Sequence, residues 1–142
     1  MDELDEQLIN YIDSGVTKYT DIAKKMNLPL STVHFRIKRL EREKVIRYYK
    51  GEIDWKKAGF GITAYMLINF NIEQLKENGK TPDSLLKELL ELPYVKEGHL
   101  ATSDVDIILK VIARDTMHIK DMLVNEIYGK KGIANTKTMI VL

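Results

Sequence analysis

The sequence predicts an α+β protein of two units, a short helical unit at the N-terminus and a sheet unit of βαββαβ order after it. Three observations predict this. Residues 2–42 carry apolar side chains at helical spacing in three runs, broken at Ser14-Gly15 and around Asn27 and Pro29. From Phe60 onward, runs of alternating apolar residues are separated by two helical runs. The charge is also divided: residues 24–50 hold nine Lys or Arg against two Glu, about +7, in a chain whose formal net charge is +1.

The first helix is expected over residues 2–13, with Leu4, Leu8, Ile9 and Ile12 as its stripe and Asp2, Glu3 and Asp5 at its positive end. Its acidic outer face is expected to point away from any polyanion. Thr20 is the expected N-cap of a second helix, whose stripe is Ile22, Ala23 and Met26. Asn27 suits a left-handed helix end, and Pro29 suits the start of a third helix. In that helix Val33, Ile37 and Leu40 share one face. Ser31, Phe35, Lys38 and Arg42 line the opposite face, with Thr32 and Arg39 beside them. Two short helices joined by so tight a turn form a helix-turn-helix.

The outer face of the third helix has what a major groove asks for. Hydroxyls near the N-terminus reach base edges or phosphates, Phe35 can meet a thymine methyl, and the later cations can hold phosphates. A basic patch on a nearly neutral protein is an electrostatic footprint for a polyanion. Val45–Trp55 is rich in aromatic and β-branched residues and is expected to form one or two short strands, a wing, from which Arg47 and Lys50 could touch flanking phosphates. A helical turn from Trp55 to Gly59, with Trp55 as a hinge packing residue, is expected to close this winged helix-turn-helix, giving a first domain of residues 1–59.

The second domain, residues 60–142, is expected to open on a long strand, Ile62–Ile72. Glu73–Lys80 is expected to be a polar loop. Thr81 and Pro82 start a helix with the stripe Leu85, Leu86, Leu89 and Leu90, stopped at Pro93. Strands over Tyr94–Thr102 and Val105–Ala113 follow, turning at Ser103-Asp104. Asp115 caps a helix with the stripe Ile119, Met122, Leu123 and Ile127, and Ile133–Leu142 is the last strand. The two βαβ halves make a ferredoxin-like antiparallel sheet with both helices on one face. Tyr65, Leu67, Ile108, Ile112, Met139 and Val141 then fall on alternate positions of the uncovered face. A second copy of the chain is the simplest cover, so a homodimer by sheet-on-sheet packing is expected, with a tetramer or octamer as further steps. A two-fold pair of recognition helices suits a pseudo-palindromic site.

The chain has no cysteine, which excludes disulfides, thiolate nucleophiles and cysteine zinc sites. No apolar run is long enough to span a bilayer and no signal-peptide pattern opens the chain, so no membrane partner and a cytoplasmic location are expected. His34, His99 and His118 lie on different expected elements, and neither an HExxH, a phosphate-cradling glycine loop nor a nucleophile elbow occurs. His99 with Asp104 and Asp106 is a weak metal arrangement, and no cofactor or enzymatic activity is expected.

With these stretches in view, the chain resembles the Lrp/AsnC, or feast/famine, family of prokaryotic transcription regulators. LDEQLINYI, DIAKKMNLPLSTVHFRIKRLEREKVI, the Ala58-Gly59 junction, LPYVKEGHLATSDVDIILKV and GIANTKTMIVL carry the resemblance over nearly the whole length. It implies a winged helix-turn-helix joined to a ferredoxin-like RAM domain that dimerises and in many members binds an amino acid. It implies DNA contact by Ser31, Thr32, His34, Phe35, Lys38 and Arg42 on double-stranded promoter DNA. Arg36 matches a frequent family arginine, with a phosphate or structural role.

The chain departs from the family pattern at Lys44 and Ser103, where glycine is usual, and at Pro29, where a serine often caps the recognition helix. Ser103 lies in the loop that borders the family's effector pocket, so Thr102, Ser103, Asp104 and Asp106 are the expected effector contacts. Turn capping by Asp104 is the competing reading there. Two alternatives accompany the regulator: a sirohaem-decarboxylase-like enzyme on the same fold, and an effector-independent interaction module.

Overall fold

The computed structural model describes all of residues 1–142. The chain divides into two compact units, Met1–Glu52 and Ile53–Leu142.

The first unit packs three helices, α1 (Glu3–Asp13), α2 (Tyr19–Met26) and α3 (Leu30–Arg42). Leu8, Ile22, Ala23, Val33 and Ile37 form its buried core, and Leu40 is fully buried as well. The seating face expected of the third helix is therefore the seated one. Asp2 caps α1 through a reciprocal pair of bonds with Asp5. The start of α2 differs from expectation. Thr20 lies inside the helix, and Lys18 occupies the N-cap without a side-chain bond, so the N–H groups of this first turn take no help from a hydroxyl.

All three helices end the same way. Gly15, Asn27 and Lys44 each take positive φ, and the next residue's N–H reaches back five residues, from Val16 to Tyr11, Leu28 to Ala23 and Val45 to Leu40. The three residues tolerate that conformation very unequally. Glycine has no Cβ to clash, asparagine is the next most tolerant, and a lysine at φ 59 pays about 1–2 kcal/mol in strain. Lys44→Gly should therefore raise the stability of this unit by about 0.5–1 kcal/mol, after the extra backbone entropy of glycine. Urea unfolding checks this, and a lowered midpoint would show that Lys44 contributes more than its backbone costs.

The expected wing strands are not formed. Residues 45–54 form no strand and have no sheet partner, and the N–H groups of Val45 and Ile46 instead return to Leu40 O at the end of α3. An isolated strand of this length leaves its backbone groups to water, and here the segment is held by a side chain, Tyr49, instead of a ladder.

The second unit is a four-stranded antiparallel sheet, β1 (Ile62–Phe70), β2 (Val95–Leu100), β3 (Ile107–Ala113) and β4 (Ile133–Ile140), in the order β2-β3-β1-β4. This is the ferredoxin-like order. Helices α5 (Pro82–Leu90) and α6 (Thr116–Met122) carry most of the expected apolar stripes to the core, where Leu85 and Leu89 meet Ala64, Met66, Ile68, Leu109 and Val111, whereas Leu90 of the expected stripe is 42% exposed. Thr81 caps α5 with a reciprocal bond to Ser84, and Asp115 caps α6 by accepting from the His118 N–H. Past Met122 the helix widens into a π turn, Leu123–Ile127.

The segment expected as a polar loop contains a short helix, α4 (Ile72–Glu77), capped by Asn71. The reason is a single apolar anchor. Leu75 is buried against Gly132, which has positive φ and no room for a Cβ. The turn Trp55–Gly59 packs within the second unit: Trp55 meets Phe60 edge-on, and Lys96 lies 4.6 Å from the centre of its ring.

Candidate nucleic-acid interface

On α3, Ser31, His34, Phe35, Lys38 and Arg42 are exposed and Thr32 is half-buried. Phe35 is 63% exposed, which leaves its ring open between the hydroxyls and the cations of this face. His34, Phe35, Lys38 and Arg42 rim one open depression with Glu41, and Ser31, Thr32 and Phe35 rim another with Arg36 and Arg39. Lys38 reaches Glu41 at 3.4 Å, an exposed pair worth at most about 0.5 kcal/mol and readily exchanged for a phosphate.

Two of the expected contacts, Arg36 and Arg39, are held by carboxylates of the same unit. Arg36 Nη1 donates to Asp2 at 2.8 Å and to Asp5 at 3.0 Å, and Arg39 Nη2 donates to the other oxygen of Asp5. Asp5 is 1% exposed. The acidic residues of α1 therefore do not all face away from the basic helix, since Asp2 and Asp5 clamp it. Spacing explains the fit, because carboxylates three apart on one helix meet guanidiniums three apart on the other. Arg36 takes the structural alternative, and Arg39 is a clamp residue before it can be a phosphate contact. The Arg36 hydrogen bond leads in pulling the Asp2 carboxyl down to about 2. Burial alone would raise Asp5, but the Asp2 N–H and the two arginines outweigh it and hold its carboxyl below the usual range.

A second network was not legible in the sequence. Glu41 Oε1 accepts from Tyr49 Oη at 2.8 Å and from Tyr19 Oη at 3.5 Å, and Tyr19 meets His34 edge-on at 5.5 Å. Desolvation, then the Glu41 carboxylate, pushes the Tyr49 phenol well above its ordinary value. This latch ties the segment after α3, on which Arg47 stands exposed, back to that helix. A tyrosine in an aromatic run read as strand gives no hint that its hydroxyl returns to the preceding helix.

In the second unit, Tyr65 and Leu67 on β1, Ile108 on β3 and Met139 on β4 occupy outward positions in register: Leu67 lies opposite Ile108, and Tyr65 opposite Met139. Met139 is 52% and Val141 51% exposed. Ile112 departs from the expected set. It is 1% exposed in the single chain, opposite Thr63 with its N–H bonded to Tyr94 O, and so has little area left to offer a partner.

The loop expected to meet an effector is partly committed. Asp106 accepts from the Phe70 N–H at 3.1 Å, while its own backbone bonds Ile68 and Ala101. It therefore fastens the loop to β1 and is not a free ammonium partner. Ser103 Oγ donates to Asp104 at 2.7 Å, and that bond is the main reason the Asp104 carboxyl is lowered. Thr102, Ser103 and Asp104 remain exposed.

No helix is long and apolar enough to cross a membrane. The family described as Lrp/AsnC ligand binding domain matches residues 68–142, and the one described as winged helix-turn-helix DNA-binding matches residues 1–47. An HTH-type transcriptional regulator of Pyrococcus abyssi is 30% identical over 142 residues, covering 99% of this chain and 85% of its own. The structure of Escherichia coli AsnC superposes with a TM-score of 0.82 at 24% identity, over 100% of this chain and 92% of that one. The transcriptional regulator NMB0573 of Neisseria meningitidis, solved as a complex with L-Met, superposes at 0.84 with 15% identity, over 100% and 90%. With its sheet unit matched almost throughout and its helical unit matched as a DNA-binding module, this chain belongs to the Lrp/AsnC family of transcriptional regulators.

Proposed function

We propose that the protein regulates transcription by binding promoter DNA as a homodimer, with α3 in the major groove. The observation that carries this is the free face of α3: a solvent-facing aromatic ring between hydroxyls and cations, on a helix whose other face is fully seated. Ser31, Thr32, His34 and Phe35 read bases or adjacent phosphates, and Lys38, Arg42 and Arg47 hold phosphates. Arg36 and Arg39 set the angle of the helix through Asp2 and Asp5. The dimer forms through the outward sheet face at Tyr65, Leu67, Ile108, Met139 and Val141, and places two recognition helices on one axis.

An amino acid is the proposed effector class, supported by the family description of the second domain and by the L-Met complex of the Neisseria neighbour. Thr102, Ser103 and Asp104 are its available contacts in this loop. Calorimetry against the twenty amino acids checks it, and silence across that panel would remove it. The reading is of a regulator and not an enzyme, and it places the protein in the cytoplasm, where its promoter is.

Gel-shift titration on the DNA upstream of its own gene tests the groove assignment. Lys38→Ala or Arg42→Ala should weaken binding at every sequence and flatten the salt slope by about one unit per lost phosphate contact. Ser31→Ala and Phe35→Ala should instead cost about 1–3 kcal/mol at particular base pairs. If all four leave promoter binding unchanged, α3 is not the reading helix.

A further inference from the structure

The sheet unit holds a cavity of about 150 Å³ between the turn that joins α5 to β2 and the helix α6 with its π turn. We propose that this cavity is a binding site for a small primary amine with a short apolar body. It lies toward the far end of β3 from the loop 102–106 and is independent of the reading given above.

Met66, Val111 and Ile127 close the bottom and are each at most 1% exposed, so the apolar surface open to a ligand is that of Leu92, Pro93 and Tyr94 above them. One wall is braced. Tyr94 meets the His118 ring edge-on at 4.3 Å, and its hydroxyl accepts from Arg114 at 3.0 Å. His118 Nδ1 accepts the Arg114 N–H at 3.0 Å, which leaves the proton of the neutral ring on Nε2. Arg114 itself is drawn away over the rings of Phe60 and Tyr94 and does not line the cavity.

The rim carries two carboxylates, Asp121 and Glu126. Every ion pair of the chain involves other acids, so neither has a basic side chain within 4.0 Å. Glu126 and Ile127 sit on the π turn, closed by the Tyr128 N–H on Leu123 O at 2.8 Å. A π turn is less favourable than continued α-helix and recurs at functional sites. Here it brings a rim carboxylate and a floor side chain to the same cavity.

These features select by charge and size. An ammonium at the rim would meet two unpaired carboxylates with its apolar part against Leu92, Pro93 and Tyr94. A zwitterion would carry its own carboxylate beside them and be repelled, which separates this site from an amino-acid site. A cavity of about this volume accommodates one benzene-sized group, so the body is a short branched alkyl or a single phenyl group.

The full-length protein, titrated with isoamylamine and phenethylamine and followed by its amide NMR resonances, tests this. Leucine, phenylalanine and isocaproate serve as matched probes that keep the apolar body and change the charge. The amines should give saturable shifts at Tyr94, His118 and Ile127. Asp121→Asn with Glu126→Gln should weaken them at least about tenfold with an unchanged melting curve, since both positions are exposed. The single variants should fall between. Amines that leave these resonances unmoved, a double variant that binds equally well, or leucine bound here as tightly as isoamylamine would each overturn the proposal.

Discussion

Replacing Leu67 with aspartate is expected to turn the proposed sheet-stacked dimer into a monomer. Leu67 sits on the outward face of β1 between Ile108 of β3 and Lys137 of β4. In a sheet-on-sheet dimer that face is dry at its centre, and two-fold symmetry buries the new carboxylate twice. Desolvating each carboxylate costs several kcal/mol, of which the pairing with Lys137 across the strand offsets only part, so the dissociation constant should rise by about tenfold to a thousandfold. The fold itself should survive, because the position is half-open in the single chain and Lys137 lies directly across to receive the charge. Ile108→Asp should behave alike. Light scattering reads the mass, and circular dichroism confirms that the sheet is intact. An unchanged mass from both variants would reject the sheet-stacking dimer. A monomer that still folds should also bind its operator far more weakly, since the second half-site no longer adds to the first.

Asp5→Asn is expected to cost the first unit about 2–3 kcal/mol and to change how it binds DNA. The amide keeps the shape but removes the charge that Arg36 and Arg39 share. The loss stays below that of a fully buried pair because the two guanidiniums are 20% and 32% exposed. Arg39 loses its only carboxylate partner and can reach a phosphate, while Arg36 stays on Asp2, so weak binding to any sequence should become steeper in salt by about one unit. Urea unfolding and gel shifts at several salt concentrations read the two effects.

Acid provides a further check on the same clamp. Asp2 and Asp5 both titrate lower in the folded state than in the unfolded chain. Their stabilisation is therefore complete above about pH 4, the unfolded value, and is lost as pH falls through the folded values, toward about 2 for Asp2. Wild type should lose stability steadily across that window, and Asp5→Asn should lose less. Equal urea midpoints for the two proteins at neutral pH would show that the clamp contributes nothing.

The architecture was legible because it is written in local periodicity. A stripe at Val33, Ile37 and Leu40 can be buried in only one way, and alternation through Ala64, Met66 and Ile68 commits a strand to one core face. Asn27 marked its helix end by its own tolerance of positive φ. Short-range signals failed where one distant contact decides. Leu75 makes a helix of a polar stretch because Gly132, 57 positions on, leaves room for it. The wing failed for the opposite reason: strand-forming residues without a partner strand do not make a strand.

From the sequence by itself came the two units, the sheet order class, the seated face of α3 and the family resemblance, all set by spacing and residue type along neighbouring turns. Only the tertiary structure decided which cations are free. Arg36 and Arg39 look like Lys38 and Arg42 in a list of charges, yet a buried carboxylate from another helix binds the first pair and not the second. Charge strength depends on the partner and on exclusion of water, and both are properties of packing in space that no spacing along the chain records.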